Sequence, residues 1–421
     1  MAKVIRRQWQ ADLGSELPRK DRRSCEYEAY VPDPLVGRRL TLDGDVAADV
    51  ADAERAVTEL DVAASVLVDN EALARLLLRA ESVASSKIEG LEVGGRRLLR
   101  AEAARDLGEE PSDGTAAEVL GNVAAMAWAI QSVEESSGTI TLDHVLEAHR
   151  RLLAGTRLEA HAGKIRTEQN WIGGSDYNPC SAAFVPPPPE MVPTLLDDLI
   201  TFCNDDSLPA VAQAALAHAQ FETIHPFVDG NGRTGRALIH LVLRRRDLAR
   251  RVIIPVSLIL ATWSQSYVRG LTDTRYRGPA ESKAANEGNN RWIALFAAAC
   301  QRATADAAAF EQRTLEIETT WRERLGSVRA NSSVDLLLRA LPGGPIITVK
   351  GAAKVLGRSF VATNNAIDHL VAAGILQQVK VDRRNRAFEA PDIIQAFADL
   401  ERQMASPRER FRGADNGDAS H

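Results

Sequence analysis

The sequence has no long apolar run. None of its hydrophobic stretches could span a bilayer, and the start, Met1-Ala-Lys-Val-Ile-Arg-Arg-Gln-Trp9, lacks the apolar centre of a secretory leader. Cysteine is scarce: Cys25, Cys180, Cys203 and Cys300 are scattered and form no C-x-x-C. That excludes a zinc ribbon and predicts no disulfide framework. These absences together predict a cytoplasmic protein with no membrane partner, in a reducing compartment. Charge of one sign is also missing. The chain has 51 basic and 57 acidic residues, a net charge of -6. Nothing in that balance argues for nucleic acid or a membrane surface as a whole-chain partner. No phosphate-binding G-x-x-x-x-G-K-[S/T] loop occurs, and no H-E-x-x-H; His144, His149, His218 and His240 read as structural or surface residues. What remains is an ordinary globular composition, 45% hydrophobic and 26% charged, over 421 residues. That length predicts two or three domains.

One stretch concentrates the chemistry: His225-Pro-Phe-Val-Asp-Gly-Asn-Gly-Arg-Thr-Gly-Arg236. Residues 211–224 before it are alanine-rich, with apolar residues at helical spacing. Pro226 breaks that helix, and a second apolar helix begins around residue 237. Glycines that lead into a helix start let backbone N–H groups approach an anion, and the first N–H groups of a helix have no partner within it. With the helix dipole they make a phosphate site. Arg233 and Arg236 add forked donors suited to phosphate oxygens. Asp229 is the only carboxylate in the loop, and one carboxylate plus substrate phosphates is a usual way to hold Mg²⁺. His225 titrates near neutral pH and is suited to take a proton from a hydroxyl. Gly230, Gly232 and Gly235 also spell the dinucleotide fingerprint, but that pattern requires a preceding strand. A helix and a proline precede it here, so that reading is rejected.

The run resembles, position for position, the signature of the Fic family, H-x-F-x-[D/E]-G-N-G-R-x-x-R. The resemblance implies a mainly α fold, a Fic-type helical bundle with a small β-hairpin flap. It implies an enzyme, a protein adenylyltransferase that moves AMP from ATP to a Tyr, Thr or Ser hydroxyl of a target protein, itself included. It implies that His225 is the general base and that Asp229 holds Mg²⁺. By the same resemblance Gly230, Asn231, Gly232, Thr234 and Gly235 surround the phosphates, Arg233 contacts them, Arg236 grips the γ-phosphate, and Phe227 anchors the loop in the core. Trp263 falls where relatives often carry a polar residue at the nucleobase. It either stacks on the base or belongs to the core.

Upstream, Ser85-Ser-Lys-Ile-Glu89-Gly90 places Ser85 and Glu89 on one helix face, with Gly90 as a stop. It matches the inhibitory motif [S/T]-x-x-x-E-[G/N] of one class of Fic proteins. There the glutamate pairs with the second motif arginine, here Arg236, and occupies the fork meant for the γ-phosphate. The resemblance therefore implies an autoinhibited enzyme. Between the two motifs, residues 163–185 carry Trp171, Ile172, Gly173 and Gly174 and then four prolines. Short β-prone runs around Gly-Gly predict a hairpin. In Fic relatives a flap here holds the target segment by strand addition.

Five regions result. Residues 1–40 read as an extended arm with little regular structure, and residues 41–114 as helices including the inhibitory one near 82–90. Residues 115–325 are the catalytic core. Residues 328–404 resemble a winged helix-turn-helix with residues 359–373 as recognition helix and residues 382–386 as the wing. Residues 405–421 read as a disordered tail. The sequence leaves open a DNA contact through the wing, a homodimer, removal of AMP at the same site, and a nucleotide-sensing regulator in place of an enzyme.

Overall fold

The computed structural model describes residues 1–11, 18, 21–66, 70–106, 108, 111–136, 138–380 and 386–404. The expected wing turn at 382–385 and the tail from 405 lie outside the described residues. The described chain forms two compact units: Met1–Glu54 with Ala124–Leu248 and Gln265–Ala297, and Arg55–Val123 with Ala249–Ser264 and Ala298–His421. Each unit is discontinuous in sequence.

In the first unit the N-terminal stretch is not an irregular arm. β1 (Lys3–Trp9) and β2 (Cys25–Val31) pair antiparallel, from Lys3 opposite Val31 to Trp9 opposite Cys25. Alternation in Glu26-Tyr-Glu-Ala29 supplies the strand signal, with Ala29 buried, Tyr27 partly buried and Glu26 and Glu28 outside; Tyr30, beyond it, is buried. Tyr30 donates from its hydroxyl to the Tyr276 carbonyl, and Tyr276 in turn donates to the Asp33 carboxylate. Burial, with Asp33 beside it, pushes the Tyr276 phenol well above its usual range.

The expectation of unpaired cysteines is also corrected. Cys25 at the start of β2 is disulfide-bonded to Cys180, while Cys203 and Cys300 are free and buried. A bond across 155 residues leaves no trace in local spacing. Closing so long a loop restricts the unfolded chain, so Cys25→Ser is expected to cost about 2–4 kcal/mol. A urea titration under oxidising conditions checks this. An unchanged midpoint would mean that the bond constrains neither state.

Helices make up the rest. α1 is Gly44–Val66, α2 Asn70–Ile88, α3 Gly95–Asp106, α4 Gly114–Glu135, α5 Leu142–Leu153 and α6 Val192–Cys203. α7 is Ala210–Ile224, α8 Asn231–Arg245, α9 Val256–Thr262, α10 Ser264–Asp273 and α11 Lys283–Leu325. Every residue of α7 is buried. Its alanines explain this: small side chains let neighbouring helices approach from all sides. α8 packs along α7, and Gly235 is the point of closest approach. A Cβ there would lie 2.6 Å from the Glu222 carboxylate and 2.9 Å from the Phe221 ring. α10 packs on α11 in the same way, with Gly270 against the Trp292 ring and the Trp292 indole donating to the Ala215 carbonyl.

In the second unit, α2 is fixed along its length. Glu81, fully buried, accepts from the Ser257 amide and hydroxyl at the start of α9. Asn122 of α4 donates to the Ser82 carbonyl and the Ser86 hydroxyl. Arg79 forks onto Glu102 of α3 and reaches the Gly343 carbonyl. The C-terminal part runs α12 (Ser333–Ala340), β3 (Ile346–Thr348), α13 (Val349–Leu356), α14 (Phe360–Ala372), β4 (Gln377–Lys380), β5 (Arg386–Glu389) and α15 (Pro391–Met404). The three strands form an antiparallel sheet in the order β3-β5-β4. Ser332, Thr348 and Ser359 cap α12, α13 and α14 with side-chain oxygens.

Candidate functional site

α8 begins inside the glycine motif, at Asn231, six residues earlier than periodicity alone predicts. The motif is therefore the first turns of a helix as well as a loop. Gly230 stands before it with φ 77, a left-handed conformation that glycine adopts at little cost. A Cβ at Gly230 would also press on Leu152 and His149. His225 closes α7 with φ 50 and ψ 61, and its amide donates to the Phe221 carbonyl. A left-handed histidine is uncommon, and such residues gather at functional sites where the surroundings hold them.

The surroundings here are specific. Arg166 donates to the carbonyls of His225, Ile224 and Pro187. Its own amide donates to the Pro226 carbonyl. Asn170 donates to the carbonyls of His225 and Phe227. Asn231 turns back on the loop, accepting from the Phe227 amide and donating to the Phe227 carbonyl. Its side chain therefore shapes the loop. Phe227 is fully buried, as expected of an anchor, and stacks on His149 with ring centroids 3.7 Å apart.

His149 does more than a surface residue. Its Nδ1 accepts from the Gly163 amide, so the proton sits on Nε2, which donates to the Asp229 carbonyl at 3.0 Å. Burial holds its pKa down at about 4, so it stays neutral and keeps this tautomer. His218, behind the motif, is pushed down to about 3 by burial and by the nearby Arg236 charge, and bonds the Tyr267 hydroxyl. Sequence reading missed Arg166, Asn170 and His149 as parts of the site. They come from two segments, α5 and the loop after it, and share no spacing signal with the motif.

The charged groups divide by exposure. Asp229 is 48% exposed and Arg233 4%, with 3.4 Å between them. Arg233 Nε and Nη1 are buried and make no hydrogen bond to the described residues, and the Thr234 hydroxyl likewise has no partner among them. A buried guanidinium with unused donors, beside the N–H groups that open a helix, fits a bound phosphate chain. Among the described residues no group of three or more His, Cys, Asp and Glu is placed to hold a metal ion. Asp229 alone fits the hard cation that takes most of its ligands from phosphate and water. Arg236 is almost fully buried, and His225 Nδ1 lies 3.9 Å from the Glu222 carboxylate.

The expected small hairpin is present, joined by an antiparallel bridge of Ile172 with Phe184. Gly173 and Gly174 have φ 73 and 80, and a Cβ at Gly174 would strike the Ser181 carbonyl. Trp171 donates to the Ser175 carbonyl and meets Trp9 edge to face at 5.4 Å. The N-terminal strands brace this segment. The Tyr30 amide donates to the Val185 carbonyl, Asp21 bonds Ser175 and Asn178, and Cys25 bonds Cys180.

Ser85, Glu89, Gly90 and Trp263 belong to the second unit. Ser85 is buried in α2, and Gly90 stops the helix with φ 81, as the sequence predicts. Trp263 is buried and closes α9, its amide donating to the Ile259 carbonyl.

Residues 139–243 match the Fic/DOC family, and residues 47–131 match the Fic/DOC family N-terminal region. The chain is 36% identical over 162 residues to protein adenylyltransferase fic-1 of Caenorhabditis briggsae, covering 38% of this chain and 30% of that one. It is 34% identical over 192 residues to protein adenylyltransferase Fic of Drosophila virilis, covering 45% and 34%. It thus spans roughly a third of the length of these relatives. A Fic family protein from Desulfovibrio desulfuricans G20 has a similar fold, with a TM-score of 0.51 at 20% identity, over 84% of this chain and 98% of the other. The fold is that of the Fic family, and the matched segments are homologous to it. No helix among the described residues is long and apolar enough to cross a membrane.

Proposed function

We propose that this chain transfers AMP from ATP to a hydroxyl group of a target protein and that it is autoinhibited. The observation that carries the transfer reading is Arg233: a buried guanidinium with Nε and Nη1 unused, one turn into a helix whose first residues are Asn231 and Gly232. In this reading the opening amides of α8, with Thr234, Arg233 and Arg236, hold the phosphate chain. Mg²⁺, held by Asp229, would neutralise charge on the phosphates. The His225 imidazole takes the proton from the acceptor hydroxyl. The hydroxyl oxygen bonds to the α-phosphorus, the bond to the β-phosphate oxygen breaks, and pyrophosphate leaves. The flap residues Trp171 to Gly174 register the target, and Trp263 contacts the base. Glu89, with Ser85 and Gly90 setting its place at the end of α2, competes with the γ-phosphate for Arg236.

The order α12-β3-α13-α14-β4-β5 supports reading the C-terminal part as a winged helix. The exposed start of α14 carries Phe360 and Val361 rather than basic residues, which weighs against a helix that reads DNA phosphates. Of the expected wing arginines, Arg383 and Arg384 lie outside the described residues.

Magnesium tests the site. In a Glu89→Gly background, calorimetric ATP binding is expected to tighten with added Mg²⁺. In Glu89→Gly with Asp229→Ala that dependence is expected to vanish. An unchanged Mg²⁺ titration in the double variant would contradict the role of Asp229.

A further inference from the structure

Beside the flap runs a groove of about 530 Å³. Ile172 and Phe184 of the flap form one wall, Glu26 and Glu28 of β2 another, and Val268 of α10 the rim. The carboxylates of that wall already have partners. Arg6 approaches Glu26 and Glu28 at 3.6 Å, and Arg277 bonds Glu28 at 3.2 Å. One lining charge is different. The Arg275 Nε is buried and has no hydrogen-bond partner among the described residues. Its guanidinium carbon sits over the Phe184 ring, 3.6 Å from the centroid. Phe184 is the flap residue bridged to Ile172, so the cation rides on the segment proposed to register the target.

The neighbouring groups acting on Arg275 are the Glu222 carboxylate and the hydroxyls of Tyr30 and Tyr267. Burial lowers its pKa to about 10, which leaves it charged at neutral pH. Glu222 is also the carboxylate beside His225. Arg275 therefore stands between the flap and the base. A planar guanidinium backed by an aromatic ring, with a donor still to be satisfied, is of the kind that takes a carboxylate in bidentate fashion.

Resting on the adenylyltransferase reading, we propose that Arg275 is a specificity-determining residue that reads an acidic side chain flanking the acceptor hydroxyl of the target. The preferred substrate is then an extended segment with Asp or Glu close to its Tyr, Thr or Ser.

The test separates binding from chemistry. The probes are fluorescein-labelled extended peptides with a central tyrosine and a single glutamate moved through the flanking positions, each with a glutamine counterpart. Binding to the full chain carrying Glu89→Gly is followed by anisotropy. At one or two positions the glutamate peptide is expected to bind about tenfold tighter than its counterpart. Arg275→Gln is expected to abolish that ratio, and Arg275→Glu to reverse it in favour of lysine peptides. A glutamate preference in Arg275→Gln as large as the parent's, or no preference for glutamate in the parent, overturns the proposal. So does a uniform loss for all peptides with the ratio kept, which would mean that Arg275 only supports Glu222. Labelling of the same peptides from α-labelled ATP reports separately on the parent reading. Selective binding without labelling would refute AMP transfer and leave the recognition role standing.

Discussion

Replacing His225 by alanine in an uninhibited background is expected to lower AMP transfer by about a hundredfold to ten-thousandfold and to leave ATP binding nearly unchanged. The expectation has a structural basis apart from the motif. The backbone of the loop is held by groups other than the imidazole. Arg166 and Asn170 both donate to the His225 carbonyl, Asn231 brackets Phe227, and His149 bonds the Asp229 carbonyl. Loss of the side chain therefore removes a proton acceptor without moving the phosphate cradle. The left-handed backbone at His225 complicates alanine alone, so His225→Asn is the second variant, since asparagine tolerates φ 50 better. Both variants should bind ATP and Mg²⁺ like the parent. Transfer retained by both would sink the assignment of His225 as base. A parallel loss of ATP binding would instead assign it to the nucleotide site.

Removing the Glu89 carboxylate is expected to act in the opposite direction. Glu89→Gly should raise transfer by about tenfold to a hundredfold, the range of an ordinary coupling between two sites. The proposed competition is electrostatic and geometric together. A carboxylate that takes the Arg236 fork puts negative charge where the γ-phosphate must lie. The helix that presents it is independently secured. Glu81 bonds Ser257 and Asn122 bonds Ser82 and Ser86, while the Glu89 amide itself donates to the Ser86 carbonyl. Substitution at Glu89 should thus leave α2 folded. Glu89→Gln keeps the length and removes the charge, and should activate as well. If the glutamine variant stays as inactive as the parent while glycine activates, steric blockage rather than charge is the cause. If neither activates and both bind ATP as the parent does, Glu89 is not inhibitory.

How far the sequence could be read depended on whether the signal was local. His225 to Arg236 holds nearly all its chemistry in one run, and the anion, metal and base roles follow from residue type and from a glycine-led helix start. The alanine-rich α7 and the stop at Gly90 are also local and legible. The bond of the Asn231 side chain to the Phe227 backbone is not legible, because residue type does not reveal the direction of a backbone group. Arg166, Asn170 and His149 reach the loop from other segments, and only the fold brings them there. The pairing of Cys25 with Cys180 is non-local in the same way. The β1–β2 pair is a different case. Its alternation was present in the sequence, and the prolines at 18, 32 and 34 drew the reading toward an irregular arm. The flap is local in its turn and non-local in what holds it. Gly173 and Gly174 do make a turn, but it is held by one bridge, side-chain bonds and a disulfide in place of a ladder.

The most direct test is self-labelling with α-labelled ATP and Mg²⁺ in three proteins: the parent chain, Glu89→Gly, and Glu89→Gly with His225→Ala. Weak labelling of the parent, strong labelling of the single variant and none of the double variant is the predicted pattern. Labelling of the double variant as strong as that of Glu89→Gly, or none in Glu89→Gly despite bound ATP and Mg²⁺, would contradict an autoinhibited adenylyltransferase that modifies itself.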